Sequence, residues 1–309
     1  MTRVIGAKAW CILLIWLSIS STGTISCGKT GGAPAQRKID FADVIAQNDK
    51  AFHDSTPPTT KAAIYEKRSQ LQDQLLQEFD KCPRCFVTKY SGAQRTYLFD
   101  AITDCETTMR VGTLFDGGKW ICDPQSLSDS SVVYSFGIGD NISFDMEMAG
   151  MSGCSVYMFD PSPSVVANFS RFQSGQSCGR GHISFLPLGL GPVSREESRQ
   201  WNLVIEGKRC EVRSLGEIAK SLHHTHIDIL KMDIEGGEMA ALQQMLASGI
   251  LPSLRVRQLL VEFHLWDDAS FVDFVRIVGA LKKQGFLLFR KEFNPYAADK
   301  CAEFSFVRR

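Results

Sequence analysis

From residue 132 onward, short apolar runs alternate with segments of helical periodicity. The apolar runs predict seven strands: Val132–Phe136, Ser155–Phe159, His182–Pro187, Ile227–Met232, Gln258–Phe263, Gly285–Lys291 and Glu303–Val307. Helical periodicity predicts helices around 143–150, 162–172, 214–222, 236–248 and 269–284. This alternation is typical of a mostly parallel sheet with helices on both faces, and the short connection before the last strand suits an antiparallel pair. We therefore predict an α/β protein with a seven-stranded, mostly parallel Rossmann-like sheet.

The first 26 residues predict a secretory leader. Arg3 and Lys8 flank an apolar core, Ala9–Leu17, which small and polar residues follow. An apolar run this short fits a signal peptide better than a membrane span of about 20 residues, and an uncleaved signal anchor is the alternative. The expected localisation is secreted, or type II anchored in the ER/Golgi lumen if the leader is retained. The membrane is an expected partner only in the second case.

Residues 27–81 predict a linker and a helical stem, ahead of a domain at 82–309. The run 28–38 is glycine-rich, and a helical pattern then continues to Lys81, broken by Pro57 and Pro58. One face of this helical pattern carries apolar residues: Ile64, Leu71, Leu75 and Phe79. The face either binds a partner or packs on the domain that follows, and we favour the second interpretation.

Charge and cysteine content narrow the classes of function. Lys plus Arg and Asp plus Glu both number 34, so the net charge is zero and no nucleic-acid partner is expected. Nine of the ten cysteines lie beyond the leader, which predicts disulfides in a secreted chain. Zinc binding is a weaker interpretation of four of them, Cys82, Cys85, Cys105 and Cys122, and a redox-active dithiol is a weaker interpretation of the Cys82–Cys85 CxxC pair. We therefore predict no metal site.

A glycine turn follows the first predicted strand. Gly137 and Gly139 would let the backbone approach a ligand closely, although a plain tight turn has the same pattern. A full GxGxxG motif needs a third glycine where Ile142 stands, which weakens a nicotinamide oxidoreductase. The next strand ends in Asp160, 21 residues after Gly139, where an acid can accept hydrogen bonds from ribose hydroxyls or cap the following helix.

The segment HIDILKMDIEGGE, 226–238, runs from an apolar strand into three carboxylates, Asp233, Glu235 and Glu238. Such a strand brings polar groups to the carboxyl edge of the sheet, although an acidic first helical turn is also favoured by the helix dipole. The next predicted strand ends near Glu262 and His264, and a histidine there is either a general base or a structural residue. The histidine tract 223–226 precedes its strand and is interpreted as an exposed loop.

Five stretches resemble the methyltransferase-like protein 24 group, a branch related to FkbM-type methyltransferases. They are DGGKWICDP (116–124), VVYSFGIGDNISFD, CSVYMFDPS, HIDILKMDIEGGE and LLVEFHLW. The resemblance covers roughly residues 80–309 and implies a class I methyltransferase fold with S-adenosyl-L-methionine as cofactor. By position it implies Gly137 and Gly139 in the cofactor loop, Asp160 at the ribose, and the three carboxylates in the family's D-x-E-G-x-E segment.

The expected function is methylation of an oxygen in a secreted or luminal small molecule or glycan. Asp233, Glu235 and His264 are the predicted catalytic residues, since any of them could take a proton from the acceptor. The alternative is a binding module without catalysis. It is motivated by Ser135, where the family has an acid, and by the glycosylation sequon at Asn141 on the cofactor turn; a second sequon is at Asn168. No oligomeric state is predicted.

Overall fold

A computed structural model describes residues 58–92, 94–114, 117–173, 175–191, 203–294, 297–298 and 300–309. The predicted leader and linker lie outside these residues. No helix within the described ranges is both long enough and apolar enough to cross a bilayer.

Nine helices are described, besides two short 3-10 turns. They are α1 Pro58–Lys81, α2 Pro83–Lys89, α3 Gln94–Tyr97, α4 Ser143–Ser152, α5 Pro163–Phe169, α6 Leu215–Ser221, α7 Glu238–Ser248, α8 Ile250–Ser253 and α9 Asp268–Lys283. The five helices predicted beyond residue 132 correspond to α4, α5, α6, α7 and α9. Their starts follow known capping rules: Asp267 forms a capping box with Ser270 at the start of α9, and Pro163 opens α5.

The strands of the described ranges form one large sheet and three small pairs. They are β1 Thr108–Val111, β2 Lys119–Cys122, β3 Val132–Phe136, β4 Ser155–Phe159, β5 Gln176–Cys178, β6 Gly181–Leu186, β7 Gly189–Leu190, β8 Val204–Ile205, β9 Lys208–Arg209, β10 Val212–Arg213, β11 Ile229–Met232, β12 Gln258–His264, β13 Phe286–Phe293 and β14 Cys301–Arg308.

The large sheet has the order β13-β14-β12-β11-β3-β4-β6-β5. Strands β12, β11, β3, β4 and β6 are mutually parallel, and β14 lies antiparallel between β12 and β13. All seven predicted strands are present, so the predicted class I methyltransferase sheet is confirmed. A short eighth strand, β5, was not predicted; it pairs antiparallel with β6 at the edge.

Both faces of the sheet are buried, which explains the nearly continuous apolar runs in the sequence. Val132, Tyr134 and Phe136 of β3 face a large cluster that includes helices α7 and α9, whereas Val133 faces a second cluster that includes α4. The strands of the sheet centre are therefore sandwiched between two apolar layers.

The hairpin of β1 and β2 packs against the sheet beside β12 and β14. Gln258 of β12 fixes it, because the Gln258 side chain accepts the Cys122 N–H and donates to the Cys122 carbonyl, both at 2.8 Å. Cys122 also forms a disulfide with Cys105, and Cys82 forms one with Cys85. The prediction of disulfides is therefore met by these four cysteines, and the zinc interpretation of the same four is wrong.

Helix α1 packs on the domain, as the favoured interpretation of the stem predicted. Lys282 of α9 donates to the Ser69 carbonyl at 3.2 Å and pairs with Asp73 at 2.6 Å. The predicted apolar face is wrong in one detail: Leu71 is exposed, and the buried positions include Tyr65 and Phe79. The buried positions Tyr65, Gln72 and Phe79 are spaced by seven residues, so the face that packs on the domain is rotated relative to the predicted one.

Candidate functional site

The chain reverses direction across the sheet between β3 and β11. From β3 the strands proceed outward to β4 and β6, and the chain then returns to place β11 on the other side of β3. Ligands of open α/β sheets bind in the crevice at the carboxyl ends of the strands that flank such a switch point. The predicted residues gather at this edge in two groups. The glycine side comprises Gly137, Gly139 and Asp160, and the carboxylate side comprises the polar residues that end β11 and β12.

On the glycine side, Asp160 braces the turn after β3. Its Oδ2 accepts the Gly139 N–H at 3.1 Å, and its Oδ1 accepts the Ser162 N–H at 2.8 Å. Gly137 has φ +71°, and a Cβ on it would overlap the Asp233 carbonyl oxygen, so only glycine fits where the two sides of the crevice touch. Asp160 therefore braces the turn and the N–H of Ser162. The interpretation of Asp160 as the cap of the following helix is wrong in position, because Ser162 is the N-cap and the helix begins at Pro163.

The glycine side has room for the expected cofactor. Apart from Gly139 itself and its two neighbours in the chain, no heavy atom lies within 4 Å of the point where a Cβ on Gly139 would stand. Each Asp160 oxygen accepts one backbone N–H, and a carboxylate oxygen has two lone pairs, so both oxygens retain capacity for ribose hydroxyls. Gly139 and Asp160 thus fit S-adenosyl-L-methionine, and Gly137 allows the tight turn that carries Gly139.

Three polar residues lie buried behind the glycine turn. Ser135 of β3 and Asp145 of α4 have side-chain oxygens without a hydrogen-bond partner of normal geometry, and Lys231 of β11 donates to the Gly137 carbonyl at 3.3 Å. Burial raises the pKa of Asp145, and the nearby Lys231 ammonium opposes part of that rise. The resemblance predicts an acid at the position of Ser135, and the structure instead places a buried acid, Asp145, on the next helix.

The three carboxylates of the HIDILKMDIEGGE segment have different surroundings. Asp233 lies 3.5 Å from the Lys119 ammonium; burial alone would raise its pKa, but Lys119, Lys231 and His264 hold that pKa below its usual value. Glu235, with φ +59°, keeps a half-exposed side chain. Glu238 is fully buried at the start of α7, where it accepts the N–H groups of Ile234 at 2.9 Å and Gly236 at 2.8 Å.

Glu238 also orients His264. The His264 Nδ1 lies 3.0 Å from Glu238 Oε1, and the opposite ring nitrogen, Nε2, lies 3.5 Å from Glu235 Oε2. Burial opposes a charge on the ring, but hydrogen bonds with Cys301 and Glu238 raise the pKa of His264 to about 12. The predicted pairing of His264 with the carboxylate edge is therefore present in the structure.

Lys119 is the central cation of the carboxylate side, and sequence reasoning did not identify it. It is buried on β2, pairs with Glu303 of β14, and lies close to Asp233. Although burial opposes its charge, Glu303, Asp233 and Glu262 raise the pKa of Lys119 above its usual value. Burial, together with Glu303 and Asp233, raises the pKa of Glu262 to about 9.

An alternating pattern in the last strand could have indicated two residues of the carboxylate side that the sequence analysis did not name, Cys301 and Glu303. Glu262 pairs with Glu303 and His264 with Cys301 in the antiparallel register of β12 and β14. Because alternate residues of a strand share a face, all four project from the same face of the sheet. The two-residue spacing of Cys301 and Glu303 within CAEFSF indicates that they share a face of their strand. Which strand lies beside that face depends on long-range pairing, which the local sequence does not show.

Two other sequence features can now be placed. Asn141 donates from Nδ2 to Thr113 Oγ1 at 2.8 Å, and this nitrogen is packed beside Gly117, whereas Asn168 is exposed on α5. In the histidine tract, His224 contacts the Tyr134 hydroxyl at 2.7 Å, before β11 and at the opposite edge from the acids. The tract forms a loop, as predicted, although His224 itself is half-buried.

Comparisons with known proteins agree with the predicted resemblance. A family profile described as "Methyltransferase domain" matches residues 62–308. The human protein named "Probable methyltransferase-like protein 24" is 28% identical over 51% of this chain and 41% of its own length; its rat counterpart is 29% identical over 51% and 42%. The chain thus matches less than half the length of these relatives. Aeropyrum pernix fibrillarin with bound S-adenosyl-L-methionine has 14% identity and a TM-score of 0.36, over 59% of this chain and 67% of that one.

Proposed function

Because the chain belongs to the methyltransferase domain family, we propose that it methylates a hydroxyl oxygen of a saccharide with S-adenosyl-L-methionine. The observation that carries the acceptor class is Trp266, which is 48% exposed and stacks on His264 with 5.3 Å between ring centroids. An exposed aromatic ring beside carboxylates suits the apolar face and the hydroxyls of a sugar. The acceptor therefore lies on the carboxylate side and the cofactor on the glycine side.

The cofactor supplies an activated methyl group, so the protein mainly aligns donor and acceptor. Gly139 leaves open space beside the turn that Gly137 makes possible, and Asp160 would accept hydrogen bonds from the ribose of the cofactor. The turn that carries these glycines touches the Asp233 backbone, so the two substrates are held by one connected structure.

Glu235 takes the proton from the acceptor hydroxyl in this proposal. Of the three carboxylates it has the most exposed side chain, at 51%, whereas Asp233 is paired with Lys119 and Glu238 is fully buried. The buried His264 side chain positions Glu235, since its Nε2 lies 3.5 Å from the Glu235 carboxylate. Asp233 orders the site through Lys119 and does not touch the acceptor.

The compartment belongs to the proposal as well. We infer a secreted or luminal protein because an apolar leader is followed by a domain with two disulfides, which persist in oxidising compartments. Nucleic acid is not a proposed acceptor, because the net charge is zero.

The test combines calorimetry with methyl transfer. Secreted full-length protein is expected to bind S-adenosyl-L-methionine and to transfer a labelled methyl group to an oligosaccharide from a mixed library. Glu235→Gln should lower kcat by about 10²–10⁴-fold without changing cofactor affinity, and Glu66→Gln on α1 is the control that should change neither. Absence of cofactor binding would overturn the enzymatic function, and full activity of Glu235→Gln would remove Glu235 as the base.

A module without catalysis is the second candidate, and Ser135 is the observation that favours it. Its buried hydroxyl stands where the family has an acid, so one charged contact to the cofactor is missing. Cofactor binding without turnover on any hydroxyl acceptor would support this candidate.

A further inference from the structure

Three buried side chains with different donor atoms converge on the carboxylate side. Glu262, His264 and Cys301 are 3%, 4% and 3% exposed. One ligand atom from each, a carboxylate oxygen, a ring nitrogen and a sulfur, lies within 4.8 Å of the other two. Cys301 is not one of the disulfide cysteines.

The sheet itself holds these donors together. Cys301 is the register partner of His264 across β14 and β12, and Glu262 lies two residues before His264 on the same face. Because all three belong to paired strands, their backbones are fixed by the ladder and only the side chains adjust. A site built on strands is more precise than one built on loops.

Glu238 prepares His264 for such a role. With Nδ1 held by the buried Glu238 carboxylate at 3.0 Å, the ring presents Nε2 toward the crevice. Metal-binding histidines almost always donate their second ring N–H to a carboxylate or a carbonyl in this way. Glu238 is itself fixed by two backbone N–H groups, so the orientation of the ring is determined in advance.

We propose that Glu262, His264 and Cys301 form a Zn²⁺ site whose fourth position faces Glu235. Tetrahedral zinc bonds of about 2.0–2.3 Å place neighbouring ligand atoms roughly 3.3–3.8 Å apart. The 3.5 Å between His264 Nε2 and Glu235 Oε2 already falls in this range. The three proposed ligand atoms lie within 4.8 Å of one another, so they need shifts of no more than about 1 Å. Zinc replaces any proton on the three donor atoms, and these protons pass to solvent.

The donor set selects zinc over magnesium or calcium. Thiolate and imidazole are ligands of zinc and other transition metals, whereas magnesium and calcium require oxygen donors. The neighbouring all-oxygen set of Asp233, Glu262 and Glu303 already contains a cation, the Lys119 ammonium. The metal site shares His264 with the proposed methyl-transfer site and faces Glu235, but it can be tested separately, because metal binding is measured without cofactor or acceptor.

Cobalt substitution tests the site without an activity assay. Full-length protein, stripped with a chelator and titrated with Co²⁺ alone, is expected to bind one equivalent and to develop a thiolate-to-cobalt charge-transfer band. Cys301→Ser should abolish the band and weaken binding by at least tenfold. Cys210→Ser, which removes another buried free cysteine, is the matched control and should retain both. Ions held by the histidine tract give no such band, since no cysteine is near it in sequence.

X-ray absorption of the zinc-loaded wild-type protein covers the case in which the variants do not fold. A sulfur neighbour at about 2.3 Å together with nitrogen or oxygen neighbours is the expected result. A shell of nitrogen and oxygen only, or a charge-transfer band that persists in Cys301→Ser, would overturn the proposal. Absence of Co²⁺ and Zn²⁺ binding by a folded wild-type protein would do the same.

Discussion

The glycine side of the crevice is built mainly from backbone, whereas the carboxylate side is built from charged side chains. On the glycine side, one carboxylate, Asp160, accepts two backbone N–H groups, and glycine is required because another chain segment passes within contact distance. On the carboxylate side, Lys119 joins Asp233, which follows β11, to Glu303 of β14. The two sides therefore differ in which substitutions they tolerate. The glycine side is sensitive to added side-chain atoms, and the carboxylate side is sensitive to the removal of a charge.

This difference also decides where proton chemistry can occur. Backbone groups do not titrate near neutral pH, so the glycine side offers fixed donors and acceptors for a cofactor. The carboxylate side contains groups whose pKa values are moved in opposite directions, with Asp233 lowered and Glu262 raised to about 9. Such divergent values are typical of functional sites.

Gly137→Ala should cause the largest loss of stability, because it adds an atom at the contact between the glycine side and the carboxylate side. The new Cβ would overlap the Asp233 carbonyl oxygen, and φ +71° is unfavourable for alanine, so we expect a loss of at least about 4 kcal/mol in the free energy of unfolding. Gly139→Ala is the matched control, since its φ of +53° costs about 1–3 kcal/mol without any overlap. Urea denaturation measures both, and equal losses would show that the contact with Asp233 is unimportant.

Lys119→Met should have the next largest effect, and it acts on the carboxylate side alone. Removing the ammonium leaves Asp233 and Glu303 without their buried counter-charge, which costs about 3–5 kcal/mol. Adding Glu303→Gln should restore part of this loss. Lys89→Met is the control, because the Lys89–Glu78 pair is exposed and should contribute little. Urea denaturation measures both variants. Equal denaturation midpoints for Lys119→Met and Lys89→Met would contradict the central role of Lys119.

The same contrast explains what could be predicted from the sequence. The bounds of β3 and β4 were predicted correctly because both strands are apolar runs between polar segments, and Asp160 was found because it ends such a run. Lys119, Glu303 and Cys301 were missed as site residues, since they meet only through the pairing of β14 with β12 and the docking of β2. Local pattern identifies strand ends, but strand register decides which side chains share a face.

Asp160→Asn should have a moderate effect that is confined to the glycine side. An asparagine keeps one acceptor oxygen but presents an amide to the second N–H group, so either Gly139 or Ser162 loses its partner. We expect a loss of about 1–2 kcal/mol in stability and a roughly tenfold weaker affinity for S-adenosyl-L-methionine. Calorimetry and urea denaturation measure the two quantities. Asp140→Asn, in the same turn, is the control; unchanged affinity in Asp160→Asn would remove Asp160 from the cofactor site.

Asp145→Asn should cost the least stability of these substitutions, since it should stabilise the protein at neutral pH, and it tests the buried acid behind the glycine side. Because burial raises the pKa of Asp145, the folded state retains a proton that the unfolded chain releases as the pH rises above about 4. Wild-type stability therefore falls with rising pH from that point until the folded pKa is passed, and Asp145→Asn should not show this fall. The free energy of unfolding of the variant should match that of the wild type near pH 3 and exceed it at pH 7, by about 1.4 kcal/mol for each unit of the rise in pKa.

Urea denaturation across this pH range measures the difference, and Glu147→Gln on the exposed face of α4 is the control. An Asp145→Asn variant that is less stable than the wild type at pH 7 would show that Lys231 keeps Asp145 ionised, and the glycine side would then also rest on a buried ion pair.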